Sequence, residues 1–233
     1  MLAAEDAGAV LSSIDWQFVD KVVYINLAKR RDRNEQLQKQ LVALGISKEK
    51  VLRFNAIEES PGYIGCVKSH IAVLLMAMKE KWNNVLILED DVTFIHEESA
   101  RVLINRLFQT LKNVKWTVAF LAAHHYRVTP FKHVNYLVRV NKAWCACAYL
   151  VQRDYYPILL ENYLQSLYHL ERGGLPSRYA LDVNWWSLME KDCWLGLFPN
   201  VAYQAADYSD IEKGVVDYRE LFFKPLSEVV GQE

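Results

Sequence analysis

The chain has 233 residues, 52% hydrophobic and 24% charged, which suits one large domain or two small ones around a real buried core. Its 27 Lys and Arg nearly balance 28 Asp and Glu, for a formal net charge of -1, which argues against a general polyanion binder and against nucleic acid as a partner. Aromatic content of 12% is high, but aromatic rings serve cores and sugar platforms alike, so composition does not choose between them.

Residues 1–20 read as an N-terminal tail. The stretch lacks a basic leading region and carries Glu5 and Asp6 early, so no signal peptide is expected. No uncharged apolar run approaches the ~18 residues of a membrane span. The expected location is the cytoplasm, with peripheral contact at a membrane face left open. Residues 21–215 read as a single domain, and 216–233 as a C-terminal tail.

"KVVYINL" (Lys21 to Leu27) is a short apolar strand. Leu37, Leu41 and Leu44 then recur at helical spacing, and Gly45 is a good helix stop. "VLRFNAI" (Val51 to Ile57) predicts a second strand, and "ESPGYIG" (Glu59 to Gly65) a turn-rich loop. A helix follows from Cys66, with Ile71, Leu74, Leu75 and Met78 on one face. "NNVLILED" is the third strand, and Ser99 to Leu111 another helix. "WTVAFLAA" and "AWCACAYLV" read as buried strands, Asp154 to Leu170 as mainly helical, "RGGLPSRY" as a loop and "LDVNWWSLMEK" as a short helix. "WLGLFPNVAYQ" is extended. Strands alternating with helices predict an α/β fold, with a mainly parallel sheet covered on both faces. Ligands in such sheets bind at the carboxyl ends of the strands.

Glu89, Asp90 and Asp91 stand at such an end. Adjacent carboxylates repel by up to about 1 kcal/mol per pair even at water-like screening. If the strand persists through Asp91, Glu89 and Asp91 share one face and Asp90 points the other way. One or two carboxylates, completed by phosphate oxygens and water, are a usual magnesium or manganese arrangement. The plain alternative is a solvated acidic turn, and phosphotransferases and receiver domains also place acids after a strand. Cys66, Cys145, Cys147 and Cys193 are scattered. Cys145 and Cys147 could be half of a zinc site, but no second pair completes it, so all four read as reduced, mainly buried thiols, with Cys66 a packing residue.

Three ordered motifs, "INLAKRRDR", "GYIGCVKSH" and "LILEDDVTF", together resemble glycosyltransferase family 25. A fainter series, "LDVNWW", "FPNVAYQ" and "SDI", follows near the C-terminus. The family includes lipooligosaccharide glycosyltransferases and procollagen galactosyltransferases. The resemblance implies a GT-A-like α/β/α sandwich, a UDP-hexose donor (galactose or glucose), transfer with inversion, and a metal at the acidic motif, Mn2+ or Mg2+, on Glu89 and Asp91. The acceptor would be a hydroxyl on a glycan, a lipid-linked saccharide or hydroxylysine.

The matching positions imply donor contacts from Asn26, Leu27, Arg30, Arg33, Gly65, Ser69, His70 and Asp90. An arginine offers a diphosphate fixed charge and a planar fork of donors; the alternative for Arg33 is an exposed residue paired with Glu35 or Glu58. Gly62 and Gly65 allow unusual backbone or close ligand approach. Direct displacement at the anomeric carbon needs a carboxylate to take the acceptor's proton. Asp182 is the candidate, with Glu97 and Asp210 behind it; the alternative for Asp182 is a helix N-terminal acid. Asp207 and Ser209 are weaker donor candidates. Trp185 and Trp186 are candidate acceptor platforms, although the two point about 100° apart on a helix, so one can be core. The competing functions are a non-catalytic binding or scaffold domain of the same fold, and a phosphotransferase or nuclease built on the acids.

Overall fold

The structure is a computed structural model that describes residues 12–209, 211 and 213–231. Val22 to Ile25 form an unbroken apolar run, buried on both faces of β1 (Lys21–Asn26). That is the pattern of a central parallel strand with helices above and below. α1 (Arg31–Ala43) follows and buries Leu37 and Leu41 on one face of the sheet. Gly45, at φ +76°, takes the left-handed conformation that closes the helix end. β2 (Val51–Asn55) returns parallel to β1. α2 (Gly62–Lys79) crosses the opposite face, burying Ile64, Val67, Ile71 and Leu74. β3 (Asn84–Glu89) then pairs parallel with the other edge of β1. The chain runs from β1 outward to β2 on one side and from β3 onward to β5 and β6 on the other, so the strand order reverses between β1 and β3, and the crevice at their carboxyl ends is the switch point where such sheets bind ligands.

β4 (Val92–Phe94) leaves the main sheet at once. α3 (Glu98–Leu111) lays Ile104, Leu107, Phe108 and Leu111 on the face that α1 covers. Each such side chain contributes ~1.5–3 kcal/mol by leaving water. β5 (Val118–Phe131) and β6 (Val134–Gln152) make a long antiparallel hairpin, and β6 also pairs antiparallel with β3. α4 (Tyr156–Leu170) packs on the α2 face. Three short helices follow, α5 (Pro176–Tyr179), α6 (Leu181–Asn184) and α7 (Trp186–Lys191). β7 (Trp194–Leu197) completes the sheet, parallel to β5. β8 (Ala202–Gln204) pairs with β4, β9 (Asp207–Ser209) with β10 (Gly214–Val216), and α8 (Arg219–Phe222) and α9 (Leu226–Val229) follow.

The main sheet has the order β2-β1-β3-β6-β5-β7, and only β6 of its six strands runs against the rest. With helices on both faces this is the α/β/α sandwich with a mainly parallel sheet that the sequence predicts. Among the described residues no helix is long and apolar enough to cross a membrane.

Two expectations fail at the flanks. Ile14 and Trp16 are in the core, and the Trp16 indole N–H donates to the Leu44 carbonyl at 2.9 Å, so 12–20 is packed structure; residues 1–11 lie outside the described ones. At the other end Phe222 and Val229 are buried, Asn200 Nδ2 donates to the Phe222 carbonyl at 2.6 Å, and Val230 bridges to Val128. Apolar side chains in both flanks find the core, which a tail would leave exposed. A third expectation shifts: α2 begins at Gly62, so Gly62 and Gly65 are helical rather than loop residues.

Candidate active site

β1 and β3 end side by side, Ile25 opposite Glu89, and a pocket of about 180 Å3 opens there. Leu27, Arg30, Arg33, His70, Glu89 and Asp91 line it. β3 stops at Glu89, so Asp90 and Asp91 lie in a turn and do not keep the strand alternation. The turn brings both onto one cation: Arg33 Nη1 donates to Asp90 Oδ1 at 3.0 Å and to Asp91 Oδ2 at 3.1 Å. The small β4–β8 sheet holds the turn from behind. Gln204 Nε2 donates to Asp91 Oδ2 at 3.0 Å, and the Ala205 N–H to the Asp91 carbonyl at 2.8 Å. Buried Gln40 of α1 braces β4, donating to the Val92 carbonyl at 3.1 Å and accepting the Phe94 N–H at 2.7 Å.

Asp91 Oδ1 is buried and has no hydrogen-bond partner. Burial first, and the charge of Glu89 second, push the Asp91 carboxyl up to about 7 against the pull of Arg33. Burial also raises Asp90, offset by hydrogen bonds from Asn26 and Arg33. An unpartnered hard oxygen beside the Glu89 carboxylate is the donor set that Mn2+ or Mg2+ takes, so Glu89 and Asp91 fit the expected ion.

Arg30 and Arg33 come from the turn before α1 and its first residues. Both bind Asp207 of β9: Arg33 Nε lies 2.9 Å from Asp207 Oδ2, and Arg30 Nη2 pairs with the same oxygen. Both also donate to the Tyr208 carbonyl, at 3.2 Å from Arg30 and 3.0 Å from Arg33. Burial works to raise the Asp207 carboxyl, but the hydrogen bonds from Arg33 and Arg30 bring it down to about 2. Glu58 pairs with Lys29 at 2.7 Å rather than with Arg33.

Asn26 is 1% exposed and works through others. Its Nδ2 donates to Asp90 Oδ2 at 2.6 Å and to the Arg30 carbonyl at 3.0 Å, while its Oδ1 accepts from Arg53. It positions the acid turn and the arginine loop instead of touching a donor. Ser69 is likewise a scaffold: buried, it donates to the Gly65 carbonyl at 2.7 Å and accepts the Ile57 N–H at 2.8 Å. Gly65 is required for packing, since a Cβ there would lie 2.2 Å from the Ile57 carbonyl oxygen. His70 is 1% exposed, with Nδ1 2.6 Å from the Tyr149 hydroxyl and Nε2 3.4 Å from Glu89 Oε1. Cys66 Sγ lies 3.8 Å from that same oxygen.

Asp182 opens α6, and its Oδ2 accepts the Cys145 N–H at 2.9 Å. Burial raises its carboxyl, the Cys145 N–H opposes that, and the charge of Glu89 adds to it, so the two acids are electrostatic neighbours. Glu97 lies elsewhere, in a separate pocket with Pro199 and Tyr203. Asp210 lies outside the described residues. Trp185 is fully buried against Phe120, Tyr149 and Trp194, so it has no face for a sugar. Trp186 is partly exposed; Trp144 meets it edge-on at 4.9 Å, and the Lys142 ammonium sits 3.9 Å from its ring centre.

Sequence reasoning missed Arg53, Gln204, Trp144 and Lys142. Arg53 and Gln204 reach the site by tertiary pairing from β2 and β8, with no local signal. The reading of "AWCACAYLV" as a buried strand included Trp144, but only the neighbouring helix α7 shows what it faces.

The fold is thus an α/β/α sandwich, with acids and arginines converging where β1 and β3 end. The sequence model of glycosyltransferase family 25 (LPS biosynthesis protein) matches residues 60–168, a little under half of the chain. The match includes "GYIGCVKSH" and "LILEDDVTF" and leaves out "INLAKRRDR". No curated protein matches the chain. Among solved structures the chain is similar to mannose-1-phosphate geranyltransferase from Thermus thermophilus (10% identity, TM-score 0.47, covering 77% of this chain and 73% of that one). It is also similar to the A197 protein from STIV (15%, 0.48, 84% and 93%) and to mouse xyloside xylosyltransferase 1 in its apo form (11%, 0.36, 94% and 86%). At TM-scores below 0.5 these likenesses have no bearing on what this chain does.

Proposed function

We propose that the chain transfers a hexose, galactose or glucose, from a UDP-sugar to a hydroxyl of a glycan or lipid-linked saccharide, with inversion. The observation that carries this reading is the meeting of two guanidiniums, Arg30 and Arg33, with Glu89 and Asp91 in one pocket at the switch point of the sheet. Arg30 and Arg33 bind and orient the diphosphate through charge-assisted, paired hydrogen bonds. Leu27 lines the nucleotide side. Glu89 and Asp91 would hold Mn2+ or Mg2+, which supplies positive charge against the leaving diphosphate. Asp90, tied to Asn26 and Arg33, fixes the turn that aims Asp91.

Asp182 is the proposed general base. Its carboxyl is enclosed and raised, which brings it closer to the working range of a proton acceptor. Trp186, with Trp144 beside it, offers the acceptor an aromatic surface once Lys142 swings off the ring.

A thermal-shift panel of UDP-sugars, each with and without Mn2+, tests the reading. Ligand bound to the native state raises the melting temperature by mass action. A metal-dependent rise with UDP-hexoses is expected. No response to any UDP-sugar in the presence of Mn2+ or Mg2+ would overturn it.

A further inference from the structure

Cys66 and His70 are four residues apart on α2, so their side chains project from the same face of the helix. Glu89, at the end of β3, faces them. Cys66 Sγ, His70 Nε2 and a Glu89 carboxylate oxygen lie within 4.8 Å of one another, the one such group of three among the described residues. Sγ to Oε1 is 3.8 Å, and Nε2 to Oε1 is 3.4 Å. A tetrahedral ion with bonds of about 2.0–2.3 Å separates its ligand atoms by roughly 3.3–3.6 Å. The two separations from Glu89 are already near the spacing that such an ion imposes, and the sulfur and the imidazole lie within 4.8 Å of each other.

The histidine is also held as a ligand would be. Its Nδ1 is anchored 2.6 Å from the buried Tyr149 hydroxyl, which in turn lies 3.1 Å from the Tyr163 hydroxyl. An outer hydrogen bond on one ring nitrogen fixes the ring and directs the other nitrogen at the metal. The pocket gives access, since Cys66, His70 and Glu89 all line it, and it leaves a fourth position open. We propose that Cys66, His70 and Glu89 form a binding site for a thiophilic divalent ion of the zinc class. Sulfur and imidazole select zinc or cobalt, whereas the oxygens of Glu89 and Asp91 suit manganese or magnesium. Glu89 belongs to both donor sets, so an ion on the sulfur side draws it from the other. As the metal–sulfur bond forms, the Cys66 thiol releases its proton to solvent.

This site stands independently of the UDP-sugar reading, and its test contains no nucleotide. Metal-stripped full-length protein is titrated with Co2+, and the thiolate-to-cobalt charge-transfer band in the near ultraviolet is followed. One equivalent with that band is expected, bleached by added Zn2+. Cys66→Ala should lose the band, while Cys145→Ala and Cys193→Ala keep it. Tyr149→Phe, which retains the ring but drops the hydroxyl, should weaken Co2+ binding about tenfold. A wild-type protein that gives no thiolate band at excess Co2+ overturns the proposal without any variant. So does a band that survives in folded Cys66→Ala.

Discussion

The half of the molecule from β1 to β4 and the half built on the β5–β6 hairpin share one sheet but are held by different forces. In the first, polar groups close the carboxyl ends of the strands: Asn26, Arg33, Asp90 and Asp91 form a connected set. In the second, aromatic rings interlock: Phe120 and Trp185 contact each other and both Tyr149 and Trp194, and all four are fully buried. Charge pairing answers to pH and metal, while apolar packing does neither to first order. The polar end is therefore the tunable end.

The sharpest way to break this comparison sets Arg33→Ala beside Trp185→Ala. Each should cost about 3–5 kcal/mol near neutral pH, the first by stranding buried carboxylates and the second by leaving a cavity. Chemical denaturation at two pH values separates them. Asp90 and Asp91 are raised above their ordinary range, so they take up protons readily on acidification. The Arg33→Ala deficit should shrink at pH 5, and the Trp185→Ala deficit should not. Equal pH responses would dissolve the distinction.

Next in size, Asp91→Asn should lower transfer by about 10²–10³-fold with Mn2+ present, the loss expected when preorganised charge is removed from a reacting centre. Its circular dichroism should match the wild type. Turnover at the wild-type rate would remove Asp91 from the chemistry.

A smaller effect concerns the metal-free protein. The Asp91 carboxyl titrates near 7 when folded and near ~3.9 when unfolded, so the native state binds more protons between those values. Stability from this group is therefore greatest at low pH and declines as pH rises through 7. In chelator, melting curves should show Asp91→Asn gaining on the wild type from pH 5 to pH 8. A constant gap between the two proteins would refute the shift. Smallest of all, Trp186→Ala should change stability by about 1 kcal/mol, as partly exposed positions do, while raising the acceptor KM severalfold and sparing kcat.

The first half was legible because each element carries its own period. Val22 to Ile25 is one apolar run, Leu37 and Leu41 mark a helix, and the residues that meet at the pocket sit within single motifs. Even there, strand alternation misplaced Asp90, because β3 ends at Glu89 and the turn that follows brings Asp90 and Asp91 onto one arginine. The hairpin was not legible over 124–142. β5 and β6 shift register at several places between Phe120 and Phe131, and Cys145 takes φ +69° inside β6. Each bulge moves the following side chains to the other face, so a period of two never accumulates. The role of Asn26 escaped for another reason. A motif names a conserved type of position, not whether the side chain meets a ligand or a neighbouring acid.

The Asp207 carboxylate already occupies the forks of Arg30 and Arg33. An incoming diphosphate would thus be trading places with an internal surrogate, and the number of ionic contacts would hardly change. Donor affinity should consequently vary little with ionic strength in the native sequence, and more steeply in Asp207→Asn, where that carboxylate no longer has to leave.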